Sequence, residues 1–127
     1  MISVILSIGS NCGDRKHFVE EAIQWLKTLL IETKHSEIYE TPCALKQGKP
    51  YINAVMEGYF SGDAFQLNEL LKDKEKEMGR TSKCRENGDV PIDIDIVICD
   101  RVIFKEWDYR QKFFRIGYEQ LGGKFLQ

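Results

Sequence analysis

Two acidic side chains inside an aliphatic run are the residues of this sequence best suited to chemistry. Asp93 and Asp95 lie within residues 91–99, where most other residues are isoleucine or valine. This composition predicts a buried β-strand, and side chains two residues apart on a strand share one face, about 7 Å apart. Two like charges on a core strand are costly unless a positive partner compensates them. Mg²⁺ is the expected partner, because it binds carboxylate oxygens together with water and substrate phosphates.

The elements that would position this pair alternate between strands and helices. Strands are predicted over residues 2–8, 37–41, 51–60 and the Asp93–Asp95 run, with a short partner strand at 102–104. One helix begins after Asp14, and a second begins at a capping box of Asp63 and Gln66 and ends at Gly79. A polar loop is predicted over residues 80–89. A last short helix is predicted to begin at Asp108 and to present Tyr109, Phe113, Ile116 and Leu121.

The order of these elements, β-α-β-β-α-β, predicts an α+β fold of the ferredoxin-like, split-βαβ type. In such a fold, helices pack on a mixed or antiparallel sheet. The 127 residues are 43% hydrophobic and show no linker or repeat, so we expect one domain spanning residues 1–127. The fold alone implies no function.

Composition excludes several classes of function. The net charge of −2 gives no reason to expect a nucleic-acid partner, and no segment is apolar enough to span a membrane or resembles a signal peptide. Four cysteines lack the C-x-x-C spacing of a zinc site, and their spacing does not indicate a disulfide framework. We therefore expect reduced thiols and a cytoplasmic location. The sequence leaves the oligomeric state open.

Four separated segments carry a resemblance to a known family. They are Ile8-Gly9-Ser10-Asn11-x-Gly13-Asp14, Ile38-Tyr39-Glu40-Thr41-Pro42, Tyr51-x-Asn53, and Glu75-x-x-x-Gly79-Arg80 followed by Asp93-x-Asp95. In order and spacing, the chain resembles the 6-hydroxymethyl-7,8-dihydropterin pyrophosphokinases of folate biosynthesis, from residue 2 to about residue 104. The resemblance implies Mg²⁺-dependent transfer of the β,γ-diphosphate of ATP to a pterin alcohol, with two Mg²⁺ ions and only small-molecule partners.

The resemblance also implies roles for individual residues. Asp93 and Asp95 would hold the metal, and together with Arg80 they would form the catalytic set. The implied ATP-binding residues are Glu75, Arg80, Lys83 and Arg85, and Arg110 is a further candidate. The implied pterin-binding residues are Gly9, Thr41, Pro42, Tyr51, Asn53 and Phe113. The amide of Asn53 can both donate to and accept from a pterin edge, and Tyr51 and Phe113 offer aromatic faces to a flat heterocycle.

The sequence departs from the family pattern around the aspartate strand. An arginine expected three residues before Asp93 is Val90 here, and an expected aromatic residue is Asn87. The family's histidine-containing element after the strand is absent, and neither His17 nor His35 replaces it. Arg110 and Arg115 are the candidates for the missing positive charge.

Three hypotheses therefore stand. The favoured one is an active, minimal pyrophosphokinase. The second is a degenerate homologue that binds nucleotide or pterin without efficient turnover. The third is a ferredoxin-like ligand-sensing or interaction module in which Asp93 and Asp95 are surface charges.

Overall fold

The computed structural model describes residues 1–44 and 48–123, with their side chains except that of Arg85. These ranges form strands β1 Ile2–Ser10, β2 Ile31–His35, β3 Tyr39–Thr41, β4 Tyr51–Phe60, β5 Asp93–Cys99 and β6 Val102–Ile103. They also form helices α1 Arg15–Leu29, α2 Ala64–Glu77, α3 Ser82–Asn87, α4 Glu106–Arg110 and α5 Lys112–Gln120. None of the helices in these ranges has the length and apolarity needed to cross a membrane.

The strands form one antiparallel sheet. Its order is β2-β4-β1-β5-β6, and the short β3 also pairs with β4. The central strand β1 pairs with β4 along its whole length and with β5 from residue 4 to residue 9. An antiparallel sheet with helices packed on it confirms the predicted α+β, ferredoxin-like class.

Helices cover both faces of this sheet. The apolar residues of α1 and α2 pack against one face, and α4 and α5 cover the other. Side chains alternate along β5, so Ile94 and Ile96 belong to the first core while Val97 packs with the second. The same alternation directs Asp93 and Asp95 towards the face under α4 and α5. The strand thus contributes to a core and to a polar surface at once.

The predicted starts of α1 and α2 are confirmed by side-chain hydrogen bonds. The backbone N–H of His17 donates to Asp14 Oδ1 (3.3 Å) at the start of α1. At the start of α2, the N–H of Gln66 donates to Asp63 Oδ1 (2.8 Å) and the N–H of Asp63 donates to Gln66 Oε1 (2.9 Å). These bonds satisfy N–H groups that lack partners within the helix. The predicted stop at Gly79 follows α2 with a φ of +103°, a conformation that favours glycine.

The strand prediction for residues 37–41 was wrong in part. The strand expected over 37–41 is only Tyr39–Thr41, and a second strand, β2, precedes it. Among the described strands, β2 pairs with β4 alone and lies at the edge of the sheet, and most of its side chains are exposed. An exposed edge strand has no apolar alternation, which is why the sequence pattern did not reveal it.

The polar loop predicted over residues 80–89 contains a short helix, α3. The hydroxyl of Thr81 accepts a hydrogen bond from the N–H of Cys84 (3.4 Å) at its first turn, and Gly88 follows the helix with a φ of +71°. This segment has too few apolar residues to show helical periodicity. Its helix is therefore defined by local capping and by the glycine that follows.

The C-terminal region forms two short helices instead of the single helix predicted. Asp108 lies inside α4, and Lys105 occupies the N-cap position without a side-chain hydrogen bond, so the predicted cap was wrong. Tyr109 is buried as expected, but the fully buried aromatic residue of α5 is Phe114, and Ile116 is exposed. The break at Gln111 rotates α5 relative to a continuous helix, which changes the residues that face the sheet.

We predict that Gly117→Ala destabilises the protein. A Cβ at this position would lie 2.6 Å from Val55 Cγ2 and 2.8 Å from the Tyr39 hydroxyl, because α5 packs closely on β4 here. Overpacking of this kind costs about 1–3 kcal/mol of unfolding free energy, measurable by urea denaturation. Glu119→Ala on the exposed side of the same helix is the control. Helix propensity alone predicts stabilisation by Gly117→Ala, so a stabilised variant would contradict this packing.

Candidate functional site

A pocket of about 300 Å³ lies between the sheet and the α4–α5 segment. Its lining comprises Ser7, Gly9, Thr41, Pro42, Cys43, Ala44, Tyr51, Asn53, Asp93, Asp95, Lys105, Trp107, Asp108 and Phe113. All six predicted pterin-binding residues and both predicted metal-binding aspartates are in this set. Four strands and two helices far apart in sequence therefore meet at one concave site.

The register of the sheet explains why these residues meet. Asn53 on β4 pairs with Gly9 on β1, and Gly9 pairs in turn with Asp93 on β5. Cross-strand neighbours lie about 5 Å apart, so the three residues form one row across the sheet. A Cβ at Gly9 would lie 3.3 Å from Tyr51 Cδ2 and 3.4 Å from Asn53 Oδ1. The glycine keeps this part of the pocket floor open.

Lysine and arginine side chains compensate the carboxylate pair. Asp95 has a side chain only 10% exposed, and its Oδ1 accepts from Lys72 Nζ (3.1 Å) and from Lys105 Nζ (3.0 Å). Asp93 is 35% exposed and accepts from an Arg80 Nη atom at 2.8 Å. Both carboxylates therefore have cationic partners within the protein, and both retain access to the pocket.

Glu75 is the buried centre of this charge cluster. Its side chain is 5% exposed, and Oε1 accepts from Arg80 (3.0 Å) while Oε2 accepts from Lys72 (2.8 Å) and from the backbone N–H of Ile94 (2.8 Å). Lys72 also donates to the carbonyl of Ile94 at 3.2 Å. The sequence assigned Glu75 to the nucleotide. In the structure, its carboxylate points to β5 rather than lining the pocket with the aspartates.

A second groove, of about 460 Å³, borders the same cluster. Its lining includes Lys72, Glu75, Lys76, Arg80, Thr81 and Ser82. Arg80 therefore contacts Asp93 at the pocket and also lines this neighbouring groove. A cation in this position can bridge two parts of an extended phosphate ligand.

The two aspartates have different proton affinities. Burial and the nearby negative charge of Asp95 raise the pKa of Asp93, because both favour the neutral carboxyl group. Burial also acts to raise the pKa of Asp95, but its hydrogen bond with Asp93 and the charges of Lys72 and Lys105 outweigh this effect and lower it. Asp95 is thus the carboxylate that remains ionised most readily.

The aspartate pair fits a Mg²⁺ site that is completed by other ligands. Among the described residues, no group of three or more histidine, cysteine, aspartate or glutamate side chains is arranged to hold a metal by itself. Mg²⁺ commonly binds one or two carboxylates and takes its remaining ligands from water and substrate phosphates. Asp93 and Asp95 share one strand face at a pocket wall, so they can supply the two carboxylates.

Asn53 is held in a fixed orientation at the pocket floor. Its Nδ2 donates to Thr41 Oγ1 (2.7 Å), to the carbonyl of Tyr51 (3.3 Å) and to the carbonyl of Tyr39 (3.4 Å). No described residue donates a hydrogen bond to its Oδ1. The Asn53 amide can therefore offer this oxygen as an acceptor to a heterocycle in the pocket.

Aromatic rings form the opposite wall of the pocket. Trp107 and Phe113 line it, with ring centroids 6.0 Å apart. The hydroxyl of Tyr39 donates to the carbonyl of Phe113 (2.5 Å) and accepts from the N–H of Gly117 (3.0 Å), which ties α5 to β3. Burial raises the pKa of Tyr39 to about 12, so this hydroxyl stays protonated and can donate. Tyr39 thus fixes the position of Phe113.

Two predicted ATP-binding residues, Lys83 and Arg110, do not line the pocket in the described structure. Arg110 pairs with Glu106 on α4 (2.9 Å) with a side chain that is 72% exposed. Lys83 is exposed on α3, and the Arg85 side chain lies outside the described residues. These three assignments remain predictions.

The sequence analysis did not assign six residues of the pocket lining to the site: Ser7, Cys43, Ala44, Lys105, Trp107 and Asp108. Ser7 pairs with Asp95 across the sheet, so its position follows from the register of β1 and β5. Lys105, Trp107 and Asp108 lie beyond the part of the chain in which the motifs could be recognised. A lone tryptophan among charged residues was the one signal for them in the sequence, and its spacing matched no motif.

The segment before β5 is held by Asn11. The N–H of Asn11 donates to the carbonyl of Val90 (2.9 Å), and the N–H of Val90 donates to Asn11 Oδ1 (2.6 Å). Asn11 Nδ2 also donates to the carbonyl of Gly88 at 3.0 Å. These bonds attach the segment after α3 to the end of β1. They fix the backbone at Val90, the position at which the resemblance implies an arginine.

The fold and the pocket define an α+β protein whose carboxylate pair, cations and aromatic wall suit a phosphorylated ligand together with a flat heterocycle. Residues 5–120 match the sequence profile of the 7,8-dihydro-6-hydroxymethylpterin-pyrophosphokinase (HPPK) family. The chain belongs to this family, which confirms the resemblance inferred from its motifs.

Several relatives show the extent of the similarity. A 2-amino-4-hydroxy-6-hydroxymethyldihydropteridine pyrophosphokinase of Porphyromonas gingivalis is 36% identical over 104 residues, covering 77% of this chain and 69% of the relative. That of Bacillus subtilis is 34% identical over 99 residues, covering 76% and 59%. A folate synthesis bifunctional protein of Arabidopsis thaliana is 35% identical over 96 residues, covering 74% and 20%. The match thus spans about a fifth of the plant protein and about three fifths of the Bacillus one.

We predict that Glu75→Gln lowers the unfolding free energy by about 3 kcal/mol, as measured by urea denaturation. The change removes one partner of a buried ion cluster and leaves Lys72 and Arg80 with less compensating charge. Glu77→Gln, an exposed residue of the same helix that pairs with Lys74 at 3.3 Å, is the matched control and should change stability by no more than about 0.5 kcal/mol. Equal effects of the two variants would show that burial of Glu75 does not matter.

Proposed function

We propose that the protein transfers diphosphate from ATP to the hydroxymethyl group of 6-hydroxymethyl-7,8-dihydropterin and releases AMP, with two Mg²⁺ ions. Family membership supports this activity. The observation that carries the proposal for this chain is the single pocket, which unites Gly9, Thr41, Asn53 and Phe113 with the Asp93–Asp95 pair. The pocket thus offers recognition groups for a flat heterocycle beside carboxylates suited to a metal–phosphate group.

In this proposal the pterin lies between the Asn53 row of the sheet and the aromatic wall. Asn53 Oδ1 accepts a hydrogen bond from the pterin edge, and Tyr51 and Phe113 contact its faces. Thr41 and Pro42 close the side of the pocket formed by β3. The hydroxymethyl group then points along the Gly9–Asp93 row towards the carboxylates.

Asp93, Asp95 and Arg80 position the triphosphate. Asp93 and Asp95 would hold Mg²⁺, which would supply neutralisation of the charge on the phosphate oxygens. Arg80 lies against Asp93 and the adjoining groove, where its planar group can donate two hydrogen bonds to phosphate. Lys72 and Glu75 hold this arrangement from α2.

The reaction itself is a direct displacement. The pterin hydroxyl oxygen forms a bond to the β-phosphorus, and the bond from that phosphorus to the bridging α,β-oxygen breaks. AMP leaves with the bonding electron pair, and the hydroxyl proton passes to water. Catalysis then depends on positioning and charge neutralisation rather than on a protein base.

The residues of this pocket also bear on the two other hypotheses. A homologue that binds without turnover is suggested by Val90, at a position where the resemblance implies an arginine. An interaction module with two surface aspartates fits poorly, because the Asp95 side chain is only 10% exposed and lies in a pocket. Separate measurements of turnover and of ligand binding distinguish an active enzyme from a homologue that binds without turnover.

We predict that Asp95→Asn lowers pterin-dependent AMP formation by at least about 100-fold while the protein remains folded. The change removes the carboxylate charge that would bind the metal and keeps the shape of the side chain. The assay follows AMP release from ATP, Mg²⁺ and 6-hydroxymethyl-7,8-dihydropterin, with circular dichroism as the folding check. Asp73→Asn, on the exposed side of α2, is the control.

A near-native rate in Asp95→Asn would rule out the metal assignment. If the wild type binds both substrates but forms no AMP, the non-catalytic homologue becomes the correct hypothesis. If the wild type binds neither substrate, the proposed function is wrong.

We predict that Asn53→Ala weakens pterin binding by about tenfold or more and leaves binding of an ATP analogue nearly unchanged. The change removes the acceptor oxygen at the pocket floor, and one hydrogen bond in a buried site corresponds to this loss of affinity. Calorimetric titration of each ligand separately tests it, with the exposed Asn68→Ala as control. Equal weakening of both ligands would contradict a specific role in pterin recognition.

A further inference from the structure

We propose that Lys105 is a phosphate-binding residue, which compensates Asp95 in the free protein and contacts the triphosphate when nucleotide binds. The inference rests on the proposed function, because it assigns a residue to the ATP side of the same pocket. It concerns a position outside the recognisable motifs, after β6 and at the start of α4.

The backbone around Lys105 fixes where its side chain begins. The N–H of Lys105 donates to the carbonyl of Val97 (3.3 Å), and its carbonyl accepts from the N–H of Tyr109 (2.9 Å) in the first turn of α4. From this position the side chain extends along the pocket wall, and its Nζ lies 3.0 Å from Asp95 Oδ1. The side chain is 44% exposed. A fixed backbone and a partly exposed, flexible side chain suit a cation that changes partners.

Lys72, the other lysine at Asp95, uses its ammonium group for hydrogen bonds within the protein. A lysine ammonium has three N–H donors, and Lys72 directs them to Glu75 (2.8 Å), to the carbonyl of Ile94 (3.2 Å) and to Asp95 (3.1 Å). Lys105 bonds through its ammonium to Asp95 alone among the described residues. It therefore has donor capacity that Lys72 lacks.

Lys105 also brings positive charge to the pocket, where Arg110 does not. Arg110, a sequence-based candidate for a phosphate-binding cation, pairs with Glu106 and is not in the pocket lining. Of the cations that contact the aspartates, Lys105 lines the pocket itself. A flexible ammonium is an effective point charge for phosphate.

The position of Lys105 implies opposite effects on two ligands. Its ammonium competes with any cation for Asp95 Oδ1, so removing the ammonium should tighten the binding of a bare divalent metal. The same removal takes a positive charge from the triphosphate, so binding of nucleotide should weaken. A variant that merely damaged the pocket would weaken both.

The experiment compares wild type with Lys105→Met, Lys105→Arg and Lys34→Met. Lys34 is an exposed lysine on the edge strand β2, so its replacement makes the same change in net charge away from the pocket. Mn²⁺ alone is titrated with detection by electron paramagnetic resonance. Binding of α,β-methylene-ATP with Mg²⁺ is measured by calorimetry, because this analogue cannot release AMP.

We expect Lys105→Met to bind Mn²⁺ several-fold more tightly and the nucleotide analogue about tenfold more weakly. Lys105→Arg should retain most of the affinity for the analogue, and Lys34→Met should match the wild type in both titrations. If the wild type binds the analogue and Lys105→Met binds it equally well, or loses affinity for both ligands, the role of Lys105 is overturned and the proposed function stands. If the wild type itself fails to bind the analogue, the proposed function and the Lys105 assignment are both overturned.

Discussion

The site depends on how the backbone of β5 is hydrogen-bonded along the part of its edge where no described strand pairs with it. Charged side chains of α2 supply the partners there. β6 covers only Ile98 and Cys99 of β5, so the earlier part of that strand has no strand partner on this side among the described residues. Buried backbone groups must be hydrogen-bonded, and here Glu75 accepts from the N–H of Ile94 while Lys72 donates to its carbonyl. A buried carboxylate in turn requires cations. The groups that complete the sheet thus bring Lys72 and Arg80 beside the aspartates.

This arrangement explains how a core strand tolerates two acidic residues. Asp93 and Asp95 lie on the face opposite Ile94 and Ile96, where their charges meet cations from α2, from the residue after Gly79 and from the start of α4. Within the protein, Lys72, Lys105 and Arg80 balance the charges of this pair at the pocket wall. Under the proposed function, Mg²⁺ and phosphate would replace part of these interactions.

The other half of the pocket depends on packing rather than on charge. The row of Asn53 and Gly9 forms the floor, and the close approach of Gly117 to Val55 brings the α5 helix down onto the sheet. Tyr39 then fixes the carbonyl of Phe113, so the aromatic wall has a defined position. This side of the pocket is thus built by strand register and helix packing. The side that carries Asp93 and Asp95 consists of ion pairs with Lys72, Lys105 and Arg80.

The sequence by itself determined the fold class, the strand carrying Asp93 and Asp95, the starts of α1 and α2 and the family, because alternation, capping residues and motif spacing are local properties. It also selected the six pterin-site candidates that line the pocket, through the resemblance. Only the tertiary structure decided that β2 exists, that the last helix breaks at Gln111, and that Lys105 and Trp107 reach the pocket. It likewise decided that Arg110 stays at the surface. These outcomes depend on which side chains meet across the sheet. Strand register and helix rotation are set by contacts between residues distant in sequence, so the local pattern does not predict them.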